Sequence, residues 1–176
     1  MLTDTTLFAA TDRLLLRRPT PADGPAVFAV HGDPATNRYN AHGPHRDLEQ
    51  SETSLRTWLT DWTEQGIGYC AVSLRTDPET VIGFTGTRLF ELDGTPTLNL
   101  YYRYSPTAWG RGLAAEGARA ALGQAAELRP QTPVVALIDD VNLPSRRLAE
   151  ALGLRNSGSN DREGRGIYRF PDRPGA

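Results

Sequence analysis

The chain has 176 residues, 39% apolar and 23% charged, which is the size and make-up of one ordinary globular domain with no need of a disulfide or metal staple. Its 19 basic residues are all arginine, so lysine chemistry (a Schiff base, a lysine general base, a Walker-type phosphate loop) is excluded. A net charge of −2 argues against a nucleic-acid partner, and the single Cys70 excludes an internal disulfide and suits a reducing compartment.

Residues 1–11 are expected to be a loose N-terminal leader. They carry no basic stretch followed by an apolar run, and no segment of the chain approaches about 20 apolar residues. The expectation is therefore a cytoplasmic protein without a membrane partner. The body of the chain, 12–170, reads as a single domain, with 171–176 as a tail.

Asp12 to Arg18 reads as a strand, and Thr20-Pro21 opens a short helix that stops before Gly32-Asp33-Pro34. Residues 35–46 form a loop carrying His42 and His45. A second helix is expected over 48–65, with Leu55, Trp58, Leu59 and Trp62 at core spacing. Strands follow at 68–74, 81–90 and 98–104, separated by a turn at 76–79 and by the hairpin signal Leu92-Asp93-Gly94-Thr95. An alanine-rich helix over 112–128, a buried strand at 134–138, a short helix from Asn142 to Gly153 and a strand at 166–170 complete the order β-α-α-β-β-β-α-β-α-β. That order implies a mixed α/β sheet, hairpins first and parallel crossovers after.

The stretch that carries chemistry is Tyr104 to Glu116, YSPTAWGRGLAAE. A strand ends at a proline, and Gly110 and Gly112 then open a helix. Glycine permits positive φ and close approach of a ligand to the backbone, and the unsatisfied N–H groups of a first helical turn attract phosphate. Arg111 can add a bidentate contact. Such a cradle needs no lysine. Three readings fit it: a tight strand-to-helix turn, a Rossmann fingerprint (Gly110-x-Gly112-x-x-Ala115, with Asp139 after the next strand), and a site for the pyrophosphate of acetyl-CoA. The Rossmann fingerprint belongs in the first βαβ unit and reads the ribose about 20 residues on, whereas this one lies late in the chain.

An ordered series of motifs supports the third reading: DRLLLRR at 12–18, Asp33-Pro34, VIGFTG at 81–86, the tyrosine-rich strand, Trp109 to Glu116, then Asn142, Ser145 and Leu152-Gly153-Leu154. In this series the chain resembles the GNAT superfamily of N-acetyltransferases, and within it the branch that includes the ribosomal-protein N-terminal acetyltransferases. The resemblance spans roughly 12–170. It implies a GNAT-like α/β fold whose mixed sheet is splayed at its centre and flanked by helices. Acetyl-CoA would lie between strands 98–104 and 134–138 as co-substrate, with no metal. Its pantetheine arm would pair with backbone near Tyr102 and Tyr104, and its pyrophosphate would sit on the N–H groups of Trp109, Gly110, Arg111, Gly112, Leu113 and Ala114. Asn142 would contact the arm.

Three departures from the family pattern matter. Thr107 stands where Gln or Arg is common, and Ala149 where many members have a tyrosine acid. The resemblance then points to Ser145 as the catalytic acid. Asn99 replaces a frequent glutamate base, and an amide takes no proton at neutral pH. His42, His45, Glu91 and Asp139 are the remaining base candidates, or a water relay, with histidine best matched to pH 7. Simpler roles stand beside these: Asn142 as an N-cap, Ser145 as a solvated first-turn residue, the histidines as plain loop residues, Glu116 as a favourable first-turn charge.

The function these features imply is transfer of an acetyl group to a primary amine, on a protein N-terminus or a small molecule, by direct attack in a ternary complex. His42 and His45 would line the acceptor pocket, and a homodimer is compatible with the sequence. A catalytically silent CoA-binding or regulatory module is the alternative, favoured by Asn99 and Ala149.

Overall fold

A computed structural model describes residues 6–171. Eight strands form one sheet, β1 (Leu7–Ala10), β2 (Leu14–Arg17), β3 (Tyr69–Leu74), β4 (Asp77–Leu92), β5 (Thr95–Tyr104), β6 (Val134–Ile138), β7 (Arg155–Asn160) and β8 (Gly166–Arg169), in the order β1-β2-β3-β4-β5-β6-β8-β7. Four helices flank it: α1 (Gly24–His31), α2 (Leu48–Gln65), α3 (Leu113–Leu128) and α4 (Leu143–Ala151). The expected mixed α/β sheet with helices on its faces is what the chain forms.

Local sequence sets most boundaries. Asp47 caps α2 by accepting the Gln50 N–H at 2.8 Å, and Gly66 ends the helix in the left-handed region at φ 67°. Leu55, Trp58 and Trp62 on its inner stripe are buried as their spacing predicts. Asp93 and Gly94 both take positive φ, 49° and 80°, as the tight hairpin between β4 and β5 requires.

Two strands escape the sequence reading. Residues 7–10, expected as part of a leader, form β1, which pairs antiparallel with β2. Phe8 there stands edge-on to Trp62, ring centroids 4.9 Å apart. β7 reads Arg-Asn-Ser-Gly-Ser-Asn, every residue exposed, with no apolar alternation; only its pairing with β8 makes it a strand. The turn expected at 76–79 instead falls at Arg75-Thr76, and β4 begins at Asp77.

The feature that positions the site lies between β5 and β6. Their parallel ladder contains only Leu98↔Val134 and Asn99↔Val135. Beyond it β5 stays paired with β4 as far as Tyr104, and β6 with β8 through Ile138. Each strand therefore has a satisfied outer edge and an inner edge that diverges from its neighbour. Alternation along β5 assigns the two faces of the opening. Leu98, Leu100 and Tyr104 pack with α3 residues Ala125, Ala118 and Leu113, while Tyr101 packs with Val27 and Trp58 of α1 and α2. Asn99 and Arg103 share the Tyr101 face.

Candidate active site

A cavity of about 520 Å³ lies at the start of α3 and is walled by Tyr102, Trp109, Gly110, Gly112, Asn142 and Ser145, with Ala35 and Thr36 of the loop between α1 and α2, among others. Gly110 and Gly112 hold φ 70° and 74°, values a side chain with a Cβ resists. Gly112 is the N-cap of α3 and has no capping side chain, so the first-turn N–H groups face the cavity mouth unshielded. This is a glycine-opened cradle of the kind the sequence predicts. Leu113 is buried beneath it, and Ala114 lines the cavity.

The cradle is braced from outside. Arg13 donates to the Arg111 carbonyl at 2.9 Å and forms an ion pair with Glu116 at 2.6 Å, and the Arg13 N–H and the Thr11 hydroxyl also donate to Glu116. Glu116 thus clamps the first turn of α3 to the start of β2, a role beyond a first-turn charge. Arg111 itself is exposed and does not line the cavity. Trp109 is half-exposed, and its indole N–H donates to the Tyr104 carbonyl at 2.8 Å, fixing the cradle loop to the end of β5. The Tyr104 ring is buried under α3, so only its backbone can meet a ligand at the cleft. A Cβ on Gly117 would collide with the Tyr104 hydroxyl, which explains a glycine inside an otherwise alanine-rich helix.

A second cavity, about 470 Å³, is walled by Asn99, Tyr101, Asp139, His42, Glu163 and Arg165, among others. The two cavities share Tyr39, Asn40, Tyr102, Arg103, Asn142 and Ser145. They meet through the divergence of β5 and β6.

At that junction Asn142 caps α4 by accepting the Ser145 N–H at 3.2 Å, so the capping reading holds while the residue also faces both cavities. The Ser145 hydroxyl has no hydrogen-bond partner among the described residues. The Tyr102 hydroxyl donates to the Ser145 carbonyl at 3.0 Å, and burial pushes its pKa up to about 12, which keeps it protonated. The sequence implies only a backbone role for Tyr102; the contact of its hydroxyl with Ser145 depends on the packing of α4 beside β5. Ala149 is fully buried with Leu100 and Tyr168, so the position that the family resemblance marks for a tyrosine acid lies in the core here.

The base candidates separate. His42 is exposed at the rim of the second cavity, with Nε2 4.0 Å from Glu163. Asp139 also lines that cavity, its Oδ1 accepting the Val141 N–H at 3.1 Å. Glu91 lies exposed near the β4–β5 hairpin and lines neither cavity. His45, expected in the acceptor pocket, also lines neither. It stacks on His31 at 5.1 Å and bonds Ser51 Oγ through Nδ1 at 2.8 Å, because the loop folds back over α1. Asn99 donates to the Tyr69 hydroxyl at 3.2 Å.

His31, which no motif singled out, proves to be buried. Its Nδ1 lies 3.1 Å from the Val27 carbonyl, leaving Nε2 to accept from the Tyr101 hydroxyl at 2.6 Å. Burial, then the charge of Arg103, pushes its pKa down to about 3. The unfolded chain takes up this proton near pH 6.5 and the folded one only near 3, so stability falls as pH drops across that window. In denaturant titrations, wild type is expected to lose about 2 kcal/mol more than His31→Gln between pH 7 and pH 5. Parallel losses in the two proteins would show that His31 is not held neutral.

Residues 13–155 match the family model described as an acetyltransferase (GNAT) domain, and the chain belongs to that family. The acetyltransferase from Agrobacterium tumefaciens str. C58 superposes with a TM-score of 0.77 at 27% identity, over 93% of this chain and 94% of that one. Two more distant structures share the fold. RimL, the ribosomal L7/L12 alpha-N-protein acetyltransferase solved with coenzyme A, gives 0.72 at 13% identity, over 94% and 98% of the two chains. Spermidine N-acetyltransferase from Vibrio cholerae, solved with CoA and spermine, gives 0.70 at 15%, over 90% and 94%.

Proposed function

We propose that this acetyltransferase uses acetyl-CoA as donor and a primary amine as acceptor, with direct attack in a ternary complex. The observation that carries this reading is that two cavities, one beside the glycine-opened start of α3 and one over Asn99 and Asp139, meet at the divergence of β5 and β6. A donor can lie along the first and an acceptor in the second, their reacting ends meeting at the shared wall of Tyr102, Asn142 and Ser145. The relatives solved with CoA support the donor, and the spermine and ribosomal-protein names of two of them support an amine acceptor.

The residues fit the donor. The cradle of Gly110, Gly112 and the first turn of α3 offers N–H groups and the positive dipole end to a pyrophosphate. The inner edge of β5 at Tyr102 and Tyr104 offers backbone partners to the amides of a pantetheine arm. When bound, acetyl-CoA supplies a thioester carbonyl, whose C–S bond breaks as the acceptor's C–N bond forms. A backbone N–H at the end of β5 can hold developing charge on the carbonyl oxygen. The Ser145 hydroxyl, at the junction, is placed to give a proton to the departing sulfur. His42 or Asp139, on the acceptor side, can take the proton the amine loses. An α-amino group, with a pKa of about 7.7–8.0, is already partly unprotonated at pH 7 and asks little of a base.

The catalytically silent module is the second reading, and Asn99 in place of a carboxylate favours it. Measuring CoA binding and amine-dependent thiol release separately decides between them: binding with no release across an amine panel sinks the enzymatic reading. Cys70 tests the direct attack. It is fully buried on β3, lines neither cavity, and burial pushes its pKa up. Cys70→Ala is expected to turn over within about twofold of wild type, since no nucleophile is lost. A folded but inactive variant would require an acyl-enzyme.

A further inference from the structure

Arg103 has no counterpart among the motifs, yet it lines both cavities at their junction. Of the other half-buried arginines, Arg17, Arg88 and Arg165 each have a carboxylate, Asp23 at 2.7 Å, Asp61 at 2.6 Å and Asp161 at 2.6 Å. Among the described residues Arg129 and Arg146 bond only neutral groups, the Gln65 carbonyl for the first and the Tyr168 hydroxyl and Asp140 carbonyl for the second, and neither of those two lines a cavity. Arg103 has no carboxylate within ion-pair distance among the described residues. Among the described residues its one hydrogen bond goes to the neutral Asn37 Oδ1 at 2.7 Å, leaving four of its five N–H donors without a partner there.

The side chain is nevertheless held in place. Asn37 is buried, and its amide donates to the His31 and Asp33 carbonyls, both at 2.8 Å. The guanidinium stands 5.9 Å from the Tyr101 ring centroid. The carboxylates of the second cavity are engaged elsewhere: Glu163 lies 3.4 Å from Arg165, which also holds Asp161, and Asp139 accepts the Val141 N–H. A half-buried guanidinium, positioned but unmatched, at the mouth of an acceptor cavity is a fork built for an oxyanion.

We infer that the acceptor is a primary amine that also carries an oxyanion, carboxylate or phosphate, and that Arg103 binds that group while the amine points through the divergence of β5 and β6. This rests on the acetyl-transfer reading above. A second cavity of about 470 Å³ suits a small amine or the end of a peptide. Polyamines, with no anion to offer and several positive charges, are expected to be poor acceptors.

The test uses the full chain with acetyl-CoA and matched acceptors: α-amino acids against their carboxamides, and phosphoethanolamine against ethanolamine. Wild type is expected to prefer the anionic member of at least one series. Which series shows it identifies the anion. Arg103→Gln is expected to reduce that preference about 10- to 100-fold, mostly through acceptor KM, while Arg103→Lys retains part of it as a point charge without a fork. Comparing ratios between proteins cancels the different amine pKa values within each pair. Wild type using both members equally would overturn the inference, as would Arg103→Gln raising the KM for acetyl-CoA as much as it lowers the acceptor ratio.

If no amine is acetylated, the acetyl-transfer reading fails separately, and binding decides the inference. Selective binding of an amino acid or of phosphoethanolamine to the CoA-loaded protein, lost in Arg103→Gln, sustains the anion site. Equal or absent binding removes it. Should Arg103→Gln fail to fold, Arg103→Lys serves in both assays, and an unchanged preference in it rules out recognition by the guanidinium fork.

Discussion

Gly112→Asp is expected to raise the KM for acetyl-CoA by about 100-fold or more without loss of folding. The position is the N-cap of α3 at φ 74°, and aspartate tolerates the left-handed region better than most residues. A Cβ there meets only Arg13 Nη2 at 3.7 Å, an ordinary contact. The backbone can therefore keep its course, and a carboxylate at an N-cap ordinarily stabilises a helix. The damage falls on ligand binding. The new carboxylate competes for the first-turn N–H groups proposed to hold the pyrophosphate, and it repels phosphate. Two unit charges about 4 Å apart at an effective dielectric of about 20 cost about 4 kcal/mol, which is nearly three decades in affinity before Arg13 offsets part of it. Gly112→Asn, of the same shape and neutral, is expected to raise KM only about 3- to 10-fold, the weaker loss expected without charge repulsion. Acetyl-CoA titrations of both variants beside their melting curves check this. Equal KM values for the two would mean that charge at the cradle is irrelevant and the pyrophosphate binds elsewhere.

Ser145→Ala is expected to lower kcat by about 100-fold, with the KM for both substrates within about threefold, the range of a lost general acid. The hydroxyl has no protein partner and faces both cavities, so its removal leaves no buried group unsatisfied and creates no large void. Its backbone N–H stays bonded to Asn142 whatever the side chain. Tyr102→Phe is the companion variant, because the Tyr102 hydroxyl stands beside Ser145 and stays protonated to about pH 12. Alanine with near wild-type kcat, combined with a collapse in the phenylalanine variant, would move the acid role to Tyr102. A pH–rate profile adds a check: loss of the acid should remove one limb and leave the other in place.

Both variants act at places of different legibility. The cradle is written in a short run of chain: a strand-ending proline, two glycines with one residue between them, and an alanine-rich helix. Its geometry depends on local φ preferences and helix-end N–H groups, so 104–116 alone suffices to predict it. The capping of α2 and α4, the Asp93-Gly94 hairpin and the buried stripe of α2 are local in the same way. The acid position is less legible. Ser145 could be named from a motif, but the Tyr102 hydroxyl beside it depends on how α4 packs on β5.

His31, His42 and His45 show the same limit. From sequence, two loop histidines near a glycine and a proline look like site residues, and one at a helix end does not. In the fold, the loop returns over α1, stacks His45 on His31, and leaves only His42 at a cavity. β7 carries no apolar alternation and exists because β8 offers an edge. Arg103 looks from sequence like an ordinary polar residue alternating with tyrosines. That it lines both cavities with no carboxylate at ion-pair distance among the described residues depends on contacts spanning much of the chain.

The sequence by itself determined the family, the order of most elements, the glycine-opened turn at the start of α3 and the exclusion of lysine chemistry, because each follows from short-range backbone preference, from local motifs or from composition. Only the tertiary structure decided where β5 and β6 part, that two cavities meet there, and which side chains of β5 face which cavity. Those features arise from long-range strand pairing and from helices packed on opposite faces of one sheet, and no local stretch of residues specifies them.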